Sequence, residues 1–171
     1  RESCQDRPGM IAAVDVDYRA GCAVAACVTF ETWSQEHVSR SWTRRLEAAA
    51  DYVPGSFYAR ELPCLLAVLD GVAGLEAVVV DGFVWLGPDR PGLGAHLYEA
   101  LGGRCAVVGV AKTSFVGAPA QAVLRGGSAR PLWVTAIGLA REEAARRVAA
   151  MHGAHRLPTL LRRVDRLCRE G

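Results

Sequence analysis

Apolar residues fall into short blocks along this chain, and the blocks follow two rhythms. Met10–Tyr18 is almost continuously apolar apart from Asp15 and Asp17, and Cys22–Phe30 is apolar again after a break at Arg19–Gly21. Two such runs joined by so short a turn predict a hairpin of buried strands. A third strand is expected at His37–Trp42, where Val38 and Trp42 share one face, with Gln35 and Glu36 in the turn before it. Thr43–Ala50 reads as a polar connection with some helical tendency, closed by Tyr52-Val53-Pro54-Gly55. Leu62, Leu65, Leu66 and Leu69 then recur at steps of three and four, predicting an amphipathic helix over Phe57–Leu69 with Pro63 near its first turn. Beyond it the pattern predicts a buried strand at Ala77–Val80, a loop at Gly87–Gly92, a helix at Leu93–Leu101 and strands at Cys105–Ala111 and Leu132–Thr135. Helices at Glu142–Met151 and Leu160–Arg169, separated by Gly153 and Pro158, close the chain.

Three early strands followed by alternating helices and strands imply a mixed α/β sheet with helices against its faces, because parallel neighbours need crossover connections. At 171 residues and 51% apolar, the whole span 1–171 suits one globular domain. No apolar run approaches the ~20 residues of a membrane span. The opening Arg1–Gly9 lacks the basic-then-apolar order of a secretory signal, so a cytoplasmic location is expected. The cysteines at 4, 22, 27, 64, 105 and 168 form no Cys-x-x-Cys pair and read as reduced core thiols, and no His/Cys cluster has zinc spacing.

Charge changes the picture at a few positions. Asp15 lies inside an apolar strand, where an ionised carboxyl needs a partner. Asp81 ends Ala77-Val78-Val79-Val80, at the strand end where α/β sheets usually place their chemistry. Two acids on neighbouring strands would repel, and a divalent cation relieves that repulsion. Glu61 fits a first-turn helix acid equally well, and gains meaning only beside Asp15 and Asp81. Oxygen donors without soft ligands favour magnesium or manganese. Lys112 is the one lysine among twenty cations, either by chance or because the position demands a compact point charge. The arginines from Arg141 to Arg169 form either a phosphate-contacting tail or a solvated face paired with Glu142, Glu143 and Asp165.

In this order and spacing the residues resemble those of endonuclease V, a repair nuclease acting beside inosine or deoxyinosine, over about Ile11 to Leu167. Ala13-Val14-Asp15-Val16-Asp17-Tyr18 resembles the family's first-strand motif. Tyr52-Val53-Pro54-Gly55 with Arg60-Glu61 resembles its wedge loop and glutamate, and Val80-Asp81-Gly82 its second metal-binding aspartate. Arg90 with Gly92-Leu93-Gly94-Ala95-His96, Gly109-Val110-Ala111-Lys112 and His155-Arg156-Leu157-Pro158 resemble the motifs that follow.

The resemblance implies a ribonuclease-H-like fold and cleavage of DNA or RNA near deaminated adenine. It implies Mg2+, or Mn2+, held by Asp15, Glu61 and Asp81, with Lys112 steadying charge at the phosphate. Tyr52 would be a wedge supported by Pro54 and Gly55, Gly55, Gly82 and Gly109 would line the base pocket, and Arg90 and His96 would contact nucleic acid. A monomer is the favoured state. The chain departs from the family where a late histidine is usual, since that position falls at Ile137 or Gly138. Phe83 and Leu86-Gly87-Pro88 also make the expected lesion pocket more apolar. The departures leave open a catalytically weak relative that only binds nucleic acid; in an active one, Glu142 and Glu143 are the nearest replacements in sequence for the histidine.

Overall fold

The computed structural model describes residues 9–47 and 57–171. The opening meander consists of β1 (Met10–Arg19), β2 (Cys22–Phe30) and β3 (Arg40–Glu47), all antiparallel. After α1 (Phe57–Leu69) the chain forms β4 (Leu75–Asp81), a small hairpin of β5 (Trp85–Gly87) and β6 (Arg90–Pro91), α2 (Leu93–Ala100) and β7 (Ala106–Ala111). It ends with β8 (Gln121–Val123), β9 (Leu132–Ile137), α3 (Arg141–Ala150) and α4 (Thr159–Glu170). The main sheet has the order β3-β2-β1-β4-β7-β9-β8, with β1, β4 and β7 parallel. An antiparallel meander continued by parallel strands is the mixed ribonuclease-H-like sheet that the resemblance implies.

Side-chain alternation decides which helix meets which residue. Ala12 and Val14 of β1, with Val78 and Val80 of β4, pack under α1 and α2 through Leu65, Val68 and Leu97. Ile11, Ala13, Ala77 and Val79 face the other way, onto Val148 of α3 and Leu160, Leu161 and Val164 of α4. Helices therefore cover both faces. Asp15 and Asp81 share the parity of the second set, which directs them toward α4.

The third strand differs from the expected His37–Trp42: it begins at Arg40 and runs through Glu47, taking in residues expected to connect. Its ladder to β2, from Thr29↔Arg40 to Cys22↔Glu47, supplies the backbone partners that override a weak helical tendency. As an edge strand it only half-buries Trp42, Thr43 and Leu46, and its exposed arginines discourage further pairing. β8 and the β5–β6 hairpin lie in segments with no strand rhythm. Cys22, Cys27, Cys64, Cys105 and Cys168 are buried free thiols, as expected; burial pushes Cys27 up to about 12. Among the described residues no helix is long and apolar enough to cross a membrane.

Candidate active site

The last parallel pair between β1 and β4 is Val14↔Val80. One residue further on, Asp15 and Asp81 stand side by side where the two strands part. Asp81 still pairs with Val110 of β7, and the chain leaves that strand through Ala111 to Lys112. Asp15, Asp81, Lys112 and Asp165 of α4 line one cavity with Val110 and Leu161. Its interior is about 20 Å3, room for one water-sized occupant, for which ~10–15 Å3 is the minimum.

Asp165 is the residue that sequence reasoning missed as a site residue. It lies on α4 one helical turn after Leu161 and one before Cys168, both of which are buried. Its carboxyl, Asp15 and the Cys168 thiol each offer an atom within 4.8 Å of the other two. The expected solvated pairing is half right, since Arg169 donates to Asp165 at 2.6 Å, yet the carboxyl is only 24% exposed and turns toward Asp15. The signal was its spacing on the edge of the apolar stripe.

The acids disturb one another. Burial, then the charge of Asp81, raises Asp15 to about 7, with Asp165 adding to the shift and the Val16 N–H, donating to Asp15 at 2.9 Å, opposing it. Glu61, 6% exposed at the first turns of α1, is raised to about 8 by burial and then by Asp15 and Asp81, against the pull of Arg60. Its Oε2 is buried with no hydrogen-bond partner among the described residues. Asp81 stands exposed at the cavity mouth; surrounding protein raises its carboxyl, while Lys112 and Arg169 pull it down. Glu61 and Asp81 lie outside the 4.8 Å group but share its field.

An orphaned buried carboxylate oxygen beside mutually repelling acids is what a divalent cation would satisfy. Cys168 is pushed up to about 12 by burial and by Asp15, Asp165 and Asp17, so without a cation it is a neutral thiol. The remaining donors are carboxylates, which suit magnesium or manganese. Lys112 is held in place by Arg156, whose guanidinium donates to the Lys112, Arg130 and Pro131 carbonyls and so ties the exit of β7 to the start of α4.

Other expected positions lie elsewhere. Tyr52, Pro54 and Gly55 fall outside the described residues. Gly109 is buried, and a Cβ there would meet the Gly82 carbonyl at 2.5 Å, so its glycine is required by the loop crossing it rather than by a ligand. That loop is pinned by the Val84 N–H donating to the Thr135 hydroxyl at 2.8 Å. Gly82, at φ +129, makes the turn out of β4. His96 stacks on Tyr58 with centroids 3.7 Å apart, and Arg90 sits 5.6 Å above the Phe115 ring; neither lines the acid cavity. The two candidate histidine positions are at the opposite end of the sheet: Ile137 pairs with Val107 near the start of β7, and Gly138 at φ +76 packs against Tyr98 and Ala106. Glu142 and Glu143 are exposed or half-buried on α3 and bound to Arg141, Arg146 and Arg147, so they cannot replace a ligand at the cavity.

Similarity to known proteins gives the family. Endonuclease V of Streptomyces avermitilis is 30% identical over 185 residues, covering 94% of this chain and 80% of that protein. The crystal structure of the Streptomyces avermitilis enzyme matches with a TM-score of 0.76 at 29% identity, covering 96% of this chain and 84% of that one. Endonuclease V of Ciona intestinalis, solved with a 24mer DNA containing an inosine followed by a ribo-adenosine, shares the fold at a TM-score of 0.81, 18% identity and coverage of 95% and 85%. The Endonuclease V family model matches residues 1–150, and with that match this chain belongs to the endonuclease V family, a family of nucleases.

Proposed function

We propose that this protein is a magnesium- or manganese-dependent endonuclease that hydrolyses a phosphodiester bond near inosine or deoxyinosine in DNA or RNA. The observation that carries this reading is the crowding of Asp15, Asp81 and Asp165 around one small cavity, with the buried Glu61 in the field of Asp15 and Asp81 and its Oε2 unpartnered. Asp15, Asp81 and Asp165 would hold the cation, and Glu61 would complete its oxygen shell. Bound there, the metal would supply Lewis-acid polarisation of the phosphate and a water of lowered pKa. With the cation's charge beside them, Asp15 and Glu61 would ionise near neutral pH despite their burial. Lys112 would donate to a non-bridging phosphate oxygen as negative charge develops there. Arg156, through the Lys112 carbonyl, would fix the backbone that presents this ammonium.

Tyr52, Pro54 and Gly55 would supply the wedge, and Arg90, His96 and Gly82 would border the path of the strand. The inosine-bearing DNA in the Ciona intestinalis structure supports a nucleic-acid substrate. An inactive binding protein was suggested by the missing histidine alone, and Ile137 and Gly138 stand too far from the acids for their identity to argue against activity.

Matched oligonucleotides with and without inosine, as DNA and as RNA, incubated with Mg2+, Mn2+ or EDTA, test the proposal. Metal-dependent cleavage near inosine is expected. Absence of cleavage with either metal on every substrate would overturn it.

A further inference from the structure

Two arginine-rich helices close the chain, and they use their arginines differently. On α3, Arg141, Arg146 and Arg147 pair with Glu142, Glu143 and Glu76. On α4, Arg169 is held by Asp165, but Arg162 and Arg163 make no ion pair among the described residues, and Arg166 reaches Glu170 only at 4.0 Å. Arg162, Arg163 and Arg166 are all exposed. Steps of three and four place Arg162, Asp165, Arg166 and Arg169 along one helix face.

That face is the wall of an open groove of about 710 Å3 whose other side is formed by His155, Arg156 and Leu157. Asp165 and Leu157 also line the acid cavity, so groove and cavity share a wall. A second depression continues it along Thr159, Arg162, Arg163 and Arg166. Guanidinium groups with no acid partner, or only a distant one, are free to take an anion, and planar guanidinium forks match phosphate oxygens.

We propose that the Arg162–Arg166 face of α4 is the track for the phosphate backbone of the nucleic-acid strand flanking the cleaved bond. The inference rests on the nuclease reading above and names its contact surface. A phosphate lying at Arg166 and one at Arg162 would carry the strand away from Asp165 along the helix. These contacts would bind without reading sequence, since phosphates carry none.

Binding of a fluorescein-labelled single-stranded 24-mer, followed by anisotropy in EDTA across a NaCl series, tests the track without cleavage. Each arginine that neutralises a phosphate contributes about 0.7 to the slope of log affinity against log salt on a single strand. The double variant Arg162→Gln/Arg166→Gln is expected to lower that slope by about 1.4 and to weaken binding at 50 mM salt by at least roughly tenfold. An unchanged melting temperature is expected to show intact folding. Arg146→Gln, which removes one charge from α3, should leave the slope unaltered. An unchanged slope in the double variant, or an equal fall in Arg146→Gln, overturns the track while leaving the nuclease reading standing. A parent protein that neither binds nor cleaves any oligonucleotide overturns both.

Discussion

The two ends of β4 carry acids of the same kind in opposite conditions. At its start, Glu76 accepts from Arg147 at 3.2 Å, and Arg147 also donates to Glu143 at 3.0 Å, with Arg146 on the same carboxylate. Those hydrogen bonds and charges lower the pKa of Glu143. At its end, Asp81 stands beside Asp15 and Asp165, with Glu61 in the same field and Lys112, Arg169 and Arg60 as the nearby cations; burial of Asp15 and Glu61, the protein around Asp81 and repulsion from neighbouring acids raise all three. An acid cluster matched by arginines is a surface brace, and such pairs contribute little. An acid cluster starved of cations holds unfavourable charge that a ligand can relieve, so the deficit, rather than the number of acids, marks the site.

The largest test of this contrast removes charge from the end that holds Asp81. Asp81→Asn is expected to lower metal-dependent cleavage by at least about a thousandfold, since metal stabilisation of the transition state is worth several kcal/mol. Asp165→Asn should cost roughly 10–100-fold and raise the magnesium needed for half-maximal rate, as measured by single-turnover cleavage across a metal titration. A fully active Asp165→Asn protein would remove that residue from the site.

Stability against pH should separate the ends next. Asp15 and Glu61 have folded-state values of about 7 and about 8, above their ordinary values of 3.8 and 4.5. Groups raised in this way contribute stability that is full below the unfolded value and lost as pH climbs through the folded one. Metal-free protein should therefore lose stability steadily from about pH 4 to 8. Added Mg2+ should recover most of the loss at pH 8, because it favours the ionised carboxylates. Calorimetric melting at pH 5 and pH 8, with EDTA or Mg2+, checks this; equal melting points in EDTA at both pH values would contradict the charge deficit.

The smallest effect is expected at the braced end. Glu143→Gln leaves Arg147 its bond to Glu76, so cleavage and its metal dependence should match the parent, with a slight fall in melting temperature at low salt that vanishes at high salt. Reduced cleavage at saturating Mg2+ would show that the braced end reaches the chemistry.

Asp15 was legible because it interrupts an apolar strand where charge is expensive, and Asp81 because it ends one, and local sequence is enough to expose both. Helix α1 was legible to the residue, Phe57–Leu69, through its leucine spacing. Asp165 was hidden because a helix residue between arginines reads as a surface pair, and its ion pair with Arg169 does exist. What that reading lacked was the neighbour across the gap, Asp15, which no local rule supplies. Glu142 and Glu143 misled for the converse reason: nearness in sequence to the missing histidine said nothing of nearness to the cavity, and β9 carries the chain away from it.

By itself, the sequence determined the alternation of strands and helices, the parity that turns Asp15 and Asp81 to one face, and the family motifs in their order. These are properties of spacing along one backbone, and periods of two and 3.6 encode them locally. Only the tertiary structure decided that α4 packs on β1 and β2, that its Asp165 joins Asp15 and Asp81 at one cavity, and that Glu143 is spent on Arg147 instead. Charges act through space over a few ångströms, and which charges come that close depends on how sheet and helices pack.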